Sequence, residues 1–153
     1  MASEHTAIWQ FLHNKVVVTT FMGWFIGQTV KVIIGVVREK RFNFRWFVGT
    51  GGMPSSHASG VVALATSVGL QEGVETALFG VTLMFAVVVI CDAQGVRLAT
   101  GRQARILNKM LEDIYWQKKV EQDRLKELIG HTPIEVIAGI CIGLLVGFVF
   151  CGF

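Results

Sequence analysis

Four apolar runs, parted by short polar stretches, leave this chain few folds to choose from. A hydrocarbon core of about 30 Å takes roughly 20 helical residues to cross, and about 17 can suffice. The first run covers about 16–37 and is broken by Lys31. The second, about 55–70, is short and opens on polar residues. The third, about 74–91, is the cleanest, and the fourth, about 134–153, is broken only by Glu135 near its start. Composition agrees: 16% of the residues are charged, against about 25% in soluble domains, and the mean hydropathy is +0.55. The expected fold is all-α, a polytopic membrane helix bundle of one domain with about four membrane segments. Residues 99–129 differ, mixing charges with Ile106, Leu107, Met110, Leu111, Ile114, Tyr115, Leu125 and Leu128 at helical spacing. That pattern predicts an amphipathic helix or helix pair, at the surface or packed on its own protein.

Other stretches say less. Ala7 to Phe11 is apolar but short, and residues 1–14 lack the basic, apolar and small-residue succession of a removable targeting segment. Cys91, Cys141 and Cys151 sit in apolar runs without metal or redox spacing, as small core-filling residues do.

Charge sets an orientation. Arg38, Lys40, Arg41 and Arg45 separate the first and second runs. Arg97, Arg102, Arg105, Lys109, Lys118, Lys119, Arg124 and Lys126 separate the third and fourth. The connector between the second and third, Gln71-Glu72-Gly73-Val74-Glu75, carries acids alone. Four crossings put both basic loops on one face, cytosolic by the positive-inside rule. Gly139, Gly143 and Gly147 recur every four residues on the fourth run, and Gly23 and Gly27 on the first. Such faces let helix backbones approach closely, either within one subunit or between the subunits of a homo-oligomer.

Several residues suggest chemistry. In Gly49-Thr50-Gly51-Gly52-Met53-Pro54-Ser55-Ser56-His57, glycines free the backbone and Pro54 suits the first helical turn. Ser55 and Ser56 then sit at a helix N-terminus, where anions bind. His57 lies one turn in, placed to donate a proton to a leaving oxygen. A capped helix with an incidental histidine has the same pattern. Further on, His131-Thr132-Pro133-Ile134-Glu135 puts an imidazole and a carboxylate on one helical face. The carboxylate fixes the tautomer and frees the other nitrogen for attack or for a metal; a polar cap at a helix mouth is the plainer reading. Lys31 is costly inside an apolar helix unless it faces a polar site or snorkels to the interface. Arg38, seven residues on, shares its face, and the two suit phosphate oxygens. Asp92 and Arg97 end the third run, with Asp92 open to pairing with Arg97 or Lys31. Gln103 and Asn108 are possible further hydrogen-bonding groups. In a four-crossing chain Arg38, His57, Asp92, Arg97, His131 and Glu135 share one membrane face, with Lys31 slightly deeper. Phosphoryl transfer asks for such a gathering of charge and a proton donor.

The order Lys31-x6-Arg38, then Pro54-Ser55-Ser56-His57, then His131-x3-Glu135 resembles the three signature motifs of the type-2 phosphatidic acid phosphatase and vanadium haloperoxidase superfamily. The strings Gly-Gly-Met-Pro-Ser-Ser-His, Asp-Ala-x-Gly-Val-Arg and Gly-His-Thr-Pro-x-Glu-Val make the stretch from about Asn14 to Phe148 look like its divergent branch of short membrane proteins. The resemblance implies a lipid-phosphate phosphatase in which His131 forms a phosphohistidine, Glu135 orients it and His57 protonates the leaving group. It further implies that Lys31, Arg38 and the Ser55-Ser56 turn hold the phosphate, and that no metal or other cofactor takes part. The implied partners are membrane lipids, including a phosphorylated lipid substrate, and no nucleic acid. The chain departs from the usual motifs at four places. Glu39 replaces a proline after Arg38, Ser56 replaces a glycine, Glu135 replaces an aspartate, and Leu125 stands where an arginine precedes the histidine by six. Arg97 is the replacement for that arginine if it folds back to the site.

Overall fold

Backbone polar groups find no water in hydrocarbon, so an apolar run satisfies them by closing its own helical hydrogen bonds. The computed structural model describes residues 2–40, 52–115 and 131–152, and these form five helices and no strand. They are α1 (Ala2–His13), α2 (Lys15–Glu39), α3 (Ser56–Glu72), α4 (Ala77–Tyr115) and α5 (Pro133–Cys151). Among the described residues, three stretches are long and apolar enough to cross a bilayer: α2, the Ala77–Gln94 part of α4, and α5. The second apolar run becomes α3, whose 17 residues reach about 26 Å at 1.5 Å per residue. The fold is therefore an all-α membrane helix bundle, with three full-length candidate spans and one shorter helix among them.

That shorter helix is the hub. α3 packs on α2, α4 and α5, and its Ala58, Ser59, Ala63, Ser67 and Val68 are all buried. Its small side chains permit this, because lipid tails offer no hydrophobic gain and close backbone contact must hold membrane helices together. The glycines complete the fit. A Cβ on Gly143 would lie 2.6 Å from the Ser59 carbonyl oxygen, and one on Gly147 2.5 Å from Thr66 Cγ2. One on Gly139 would strike the Ser55 carbonyl. Successive glycines on α5 thus meet successive residues of α3, so the two helices run parallel. On the opposite flank a Cβ on Gly23 would come within 2.6 Å of Ala63, and Gly27 abuts Ser59, so α2 runs antiparallel. The Ser59 hydroxyl donates to the Gly23 carbonyl at 2.8 Å and ties that pair inside the bundle. The Gly139, Gly143 and Gly147 face therefore meets α3 within the subunit.

Three further expectations change. The third apolar run does not stop before a separate amphipathic element: α4 continues unbroken to Tyr115, about 58 Å in all. Residues 116–129, the rest of the amphipathic stretch, lie outside the described residues. Cys91 and Cys141 are exposed on their helices and fill no core, while Cys151 is half-buried with Sγ 3.1 Å from Thr19 Oγ1. The short stretch near Ala7 belongs to α1, where the Trp9 and His13 rings stack at 3.9 Å.

Candidate functional site

The two histidine motifs meet because two helix starts are joined by backbone. The Ser55 N–H donates to the Glu135 carbonyl at 2.9 Å, fixing the entry to α3 against the first turn of α5. The His131 N–H donates to the Ala93 carbonyl at 3.2 Å, fixing the entry to α5 against α4. With α3 and α5 parallel, both positive helix ends point to the same side. The rings of His57 and His131 stand 6.4 Å apart, centroid to centroid, at 56°. The two imidazoles therefore stand side by side, close enough for one small group to reach both.

His131 is buried and held. Its Nδ1 lies 3.3 Å from Glu135 Oε2, and an ionised carboxylate can only accept, so Nδ1 carries the hydrogen and Nε2 keeps its lone pair. The same Oε2 accepts the Thr132 N–H at 2.8 Å, while the Thr132 hydroxyl accepts the Glu135 N–H at 3.3 Å. This is a capping box, with Pro133 at the head of the helix. Burial, the charge of Lys31 and, least, His57 hold the His131 pKa below its ordinary 6.5, against the opposing pull of Glu135. The neutral, nucleophilic form therefore prevails at neutral pH.

Lys31 does not snorkel. It is 6% exposed, and its Nζ donates to Ser56 Oγ at 3.4 Å. The turn ahead of α3 covers it: a Cβ on Gly52 would sit 3.6 Å from Lys31 Cγ, and Gly52 has φ +90°, which favours glycine. Ser55 and Ser56 are fully buried. The Ser55 oxygen accepts the Ala58 N–H at 3.3 Å as the N-cap of α3. Pro54 therefore stands before the cap, after a cis peptide, and does not open the helix. His57 is exposed.

Comparison with known proteins shows the family. Residues 12–146 match the family described as the Divergent PAP2 family. The chain belongs to the Divergent PAP2 family. It is 36% identical over 155 residues to the uncharacterized membrane protein YuiD of Bacillus subtilis (strain 168), covering 94% of this chain and 98% of the relative. No solved structure matches.

Within this divergent PAP2 chain the other sequence-predicted residues fall into two sets. Arg38 is exposed on the last turn of α2, two turns beyond Lys31. Arg97 lies one turn beyond Ala93 on α4, and its side chain is outside the described set. Asp92 is exposed and, among the described residues, forms no ion pair with Lys31; its pairing with Arg97 lies outside that set. Gln103, which is exposed, and Asn108, half-buried, follow about 15 and 22 Å along α4 from Ala93, because the helix continues straight on from the site. Leu125 and its flanking bases lie outside the described residues. The residue missed from the sequence is Thr132. Its signal was present, since Thr-x-x-Glu before an apolar run marks a capping box.

Proposed function

We propose that the protein hydrolyses a phosphate ester or diphosphate on a membrane lipid, through a phosphohistidine on His131. The observation that carries this reading is the 6.4 Å spacing of the His57 and His131 rings, with Glu135 behind one and Lys31 beneath both motifs. Nε2 of His131 attacks phosphorus, the P–O bond opposite it breaks, and the leaving oxygen takes the proton carried by His57. Neutral His57 then takes a proton from water, whose oxygen attacks the phosphohistidine. The P–N bond breaks, and inorganic phosphate leaves. Lys31, Arg38 and the first turn of α3 stabilise the charge on the non-bridging oxygens. Ser55 and Ser56 serve here by shaping that turn, since the Ser55 oxygen caps α3 and the Ser56 oxygen receives Lys31. Phosphatidate, phosphatidylglycerophosphate and polyprenyl diphosphate share the required chemistry. The basic loops put this face in the cytosol by the positive-inside rule.

A second reading has its own support. The inward-turned serine hydroxyls and Leu125 in place of an arginine suit a protein that binds lipid phosphate without cleaving it. The test is phosphate release by detergent-purified protein from a panel of lipid phosphates, with His131→Ala and His57→Ala alongside. Release abolished by His131→Ala supports hydrolysis. No release, with binding that depends on Lys31 and Arg38, supports the binding protein. Neither release nor binding leaves a structural membrane protein.

A further inference from the structure

Lys31 and Ser56 meet because Gly27 brings their helices together. Gly27 and Lys31 stand four residues apart, on one face of α2. A Cβ on Gly27 would lie 3.1 Å from Ser56 Cα, so the first residue of α3 rests directly on that face. The Ser59 hydroxyl is near the Ser56 carbonyl at 3.0 Å and the Gly23 carbonyl at 2.8 Å, which seats this turn of α3 on α2. The Lys31 stem is covered by the turn at Gly52, where a Cβ would lie 3.6 and 3.7 Å from its Cγ and Cδ. Its head reaches Ser56 Oγ at 3.4 Å, and both residues are buried. An ammonium only donates, so Ser56 Oγ accepts and its own hydrogen points elsewhere. The contact keeps a positive charge at the positive end of α3, where a long lysine stem would otherwise turn outward to water. That charge bears on the site. Burial first, and Lys31 second, hold the His131 pKa below 6.5.

We propose that Ser56 is a positioning residue, whose oxygen holds the Lys31 ammonium beside the histidine motifs and acts on a bound phosphate only through that lysine. The resemblance implied a Ser56 that holds the phosphate itself, and its depth and its lysine contact reassign it. The glycine usual at this place in the motif has no oxygen to offer, so the departure at Ser56 and the inward turn of Lys31 belong together. The phosphate half of the inference rests on the lipid-phosphate reading above, while the effect of Lys31 on His131 does not. The charged and titratable groups that act on His131 are Lys31 from α2, His57 from α3 and Glu135 from α5. From α4, Ala93 supplies a carbonyl and Asp92 is exposed. Ser56→Ala alters none of these groups, so the His131 titration reports where Lys31 sits.

The test is a double-mutant cycle on the full-length protein in phosphatidylcholine nanodiscs, with Ser56→Ala, Lys31→Met and both together. The first measurement is the His131 imidazole titration by NMR. Ser56→Ala is expected to move it upward, by no more than Lys31→Met does, and to add nothing when Lys31 is already Met. The second is binding of inorganic phosphate by calorimetry. Ser56→Ala is expected to weaken it about tenfold, the low end for a hydrogen bond to a charged group, again with no further loss in the Lys31→Met background. Should Ser56→Ala fail to fold, Ser56→Cys keeps the volume with a weaker acceptor and is expected to give a smaller shift in the same direction. An unmoved His131 titration in either variant would overturn the proposal. So would a loss of phosphate binding as large with Met at 31 as with Lys, which would make the Ser56 hydroxyl a direct ligand. A titration that moves in a protein that binds no phosphate would keep Ser56 as the anchor of Lys31 and remove the phosphate reading. Phosphate binding with an unmoved titration would do the reverse.

Discussion

One carboxylate oxygen, Oε2 of Glu135, accepts both the Thr132 N–H at 2.8 Å and the His131 ring at 3.3 Å. The group that orients the proposed nucleophile is thus also the group that starts α5, so helix capping and ring alignment are coupled. Glu135→Gln keeps an acceptor but loses the charge facing the imidazole. It is expected to lower kcat by about 10²–10⁴-fold, the usual range for disrupted acid–base machinery. Thr132→Ala should cost about 0.5–2 kcal/mol of stability through the lost cap, with a smaller fall in kcat. Thermal melts and steady-state phosphate release on the same preparations separate the two effects.

Acid should act on His131 in a defined direction. Burial and Lys31 hold its pKa below 6.5 in the fold, so the nucleophile stays neutral until the pH has fallen past its ordinary value. The acid limb of kcat/KM assigned to His131 is expected below pH 6.5. Lys31→Met removes one of the causes and should move the His131 titration upward, read from its imidazole resonance in micelles. The stability linkage has the same sign. The unfolded chain takes up this proton first, so the stability is intact above pH 6.5 and declines as pH falls towards the folded value.

The two histidines should fail differently. His131→Ala removes the atom that bonds to phosphorus, so no phosphoenzyme should be trapped by acid quench from any substrate. His57→Ala removes only the proton donor. Its defect, about 10²–10⁴-fold on an alkyl phosphate, should shrink for an aryl phosphate whose leaving oxygen needs no proton. An equal defect on both would argue against His57 as the acid.

Glycine substitutions test the bundle. Gly143→Ala presses a methyl against the Ser59 carbonyl, where the gap is 2.6 Å, and should cost about 1–3 kcal/mol through overpacking. Light scattering in detergent should show an unchanged oligomeric state. A subunit that dissociates while keeping its melting temperature would mean that the face lies between subunits.

Much of this was legible in the residues. Apolar length and charge placement determined a helical membrane protein, because hydrocarbon admits few other solutions for the backbone. The spacing of His131 and Glu135 determined their contact, because four residues make one helical turn. Thr132 was legible by the same local rule and was overlooked. Other features required the assembled chain. Periodicity identifies a face but not its partner, so only packing decided that Gly139, Gly143 and Gly147 meet α3 of their own subunit. Only packing turned Lys31 inward, because the turn at Gly52 covers it and Ser56 receives its ammonium. The 6.4 Å between His57 and His131 depends on the Ser55–Glu135 backbone bond, which joins residues eighty apart. The sequence by itself determined the helices and the polar groups carried at their ends. The tertiary structure decided which of them meet, since α4 continues past the site with Gln103 and Asn108 while α3 and α5 both begin there.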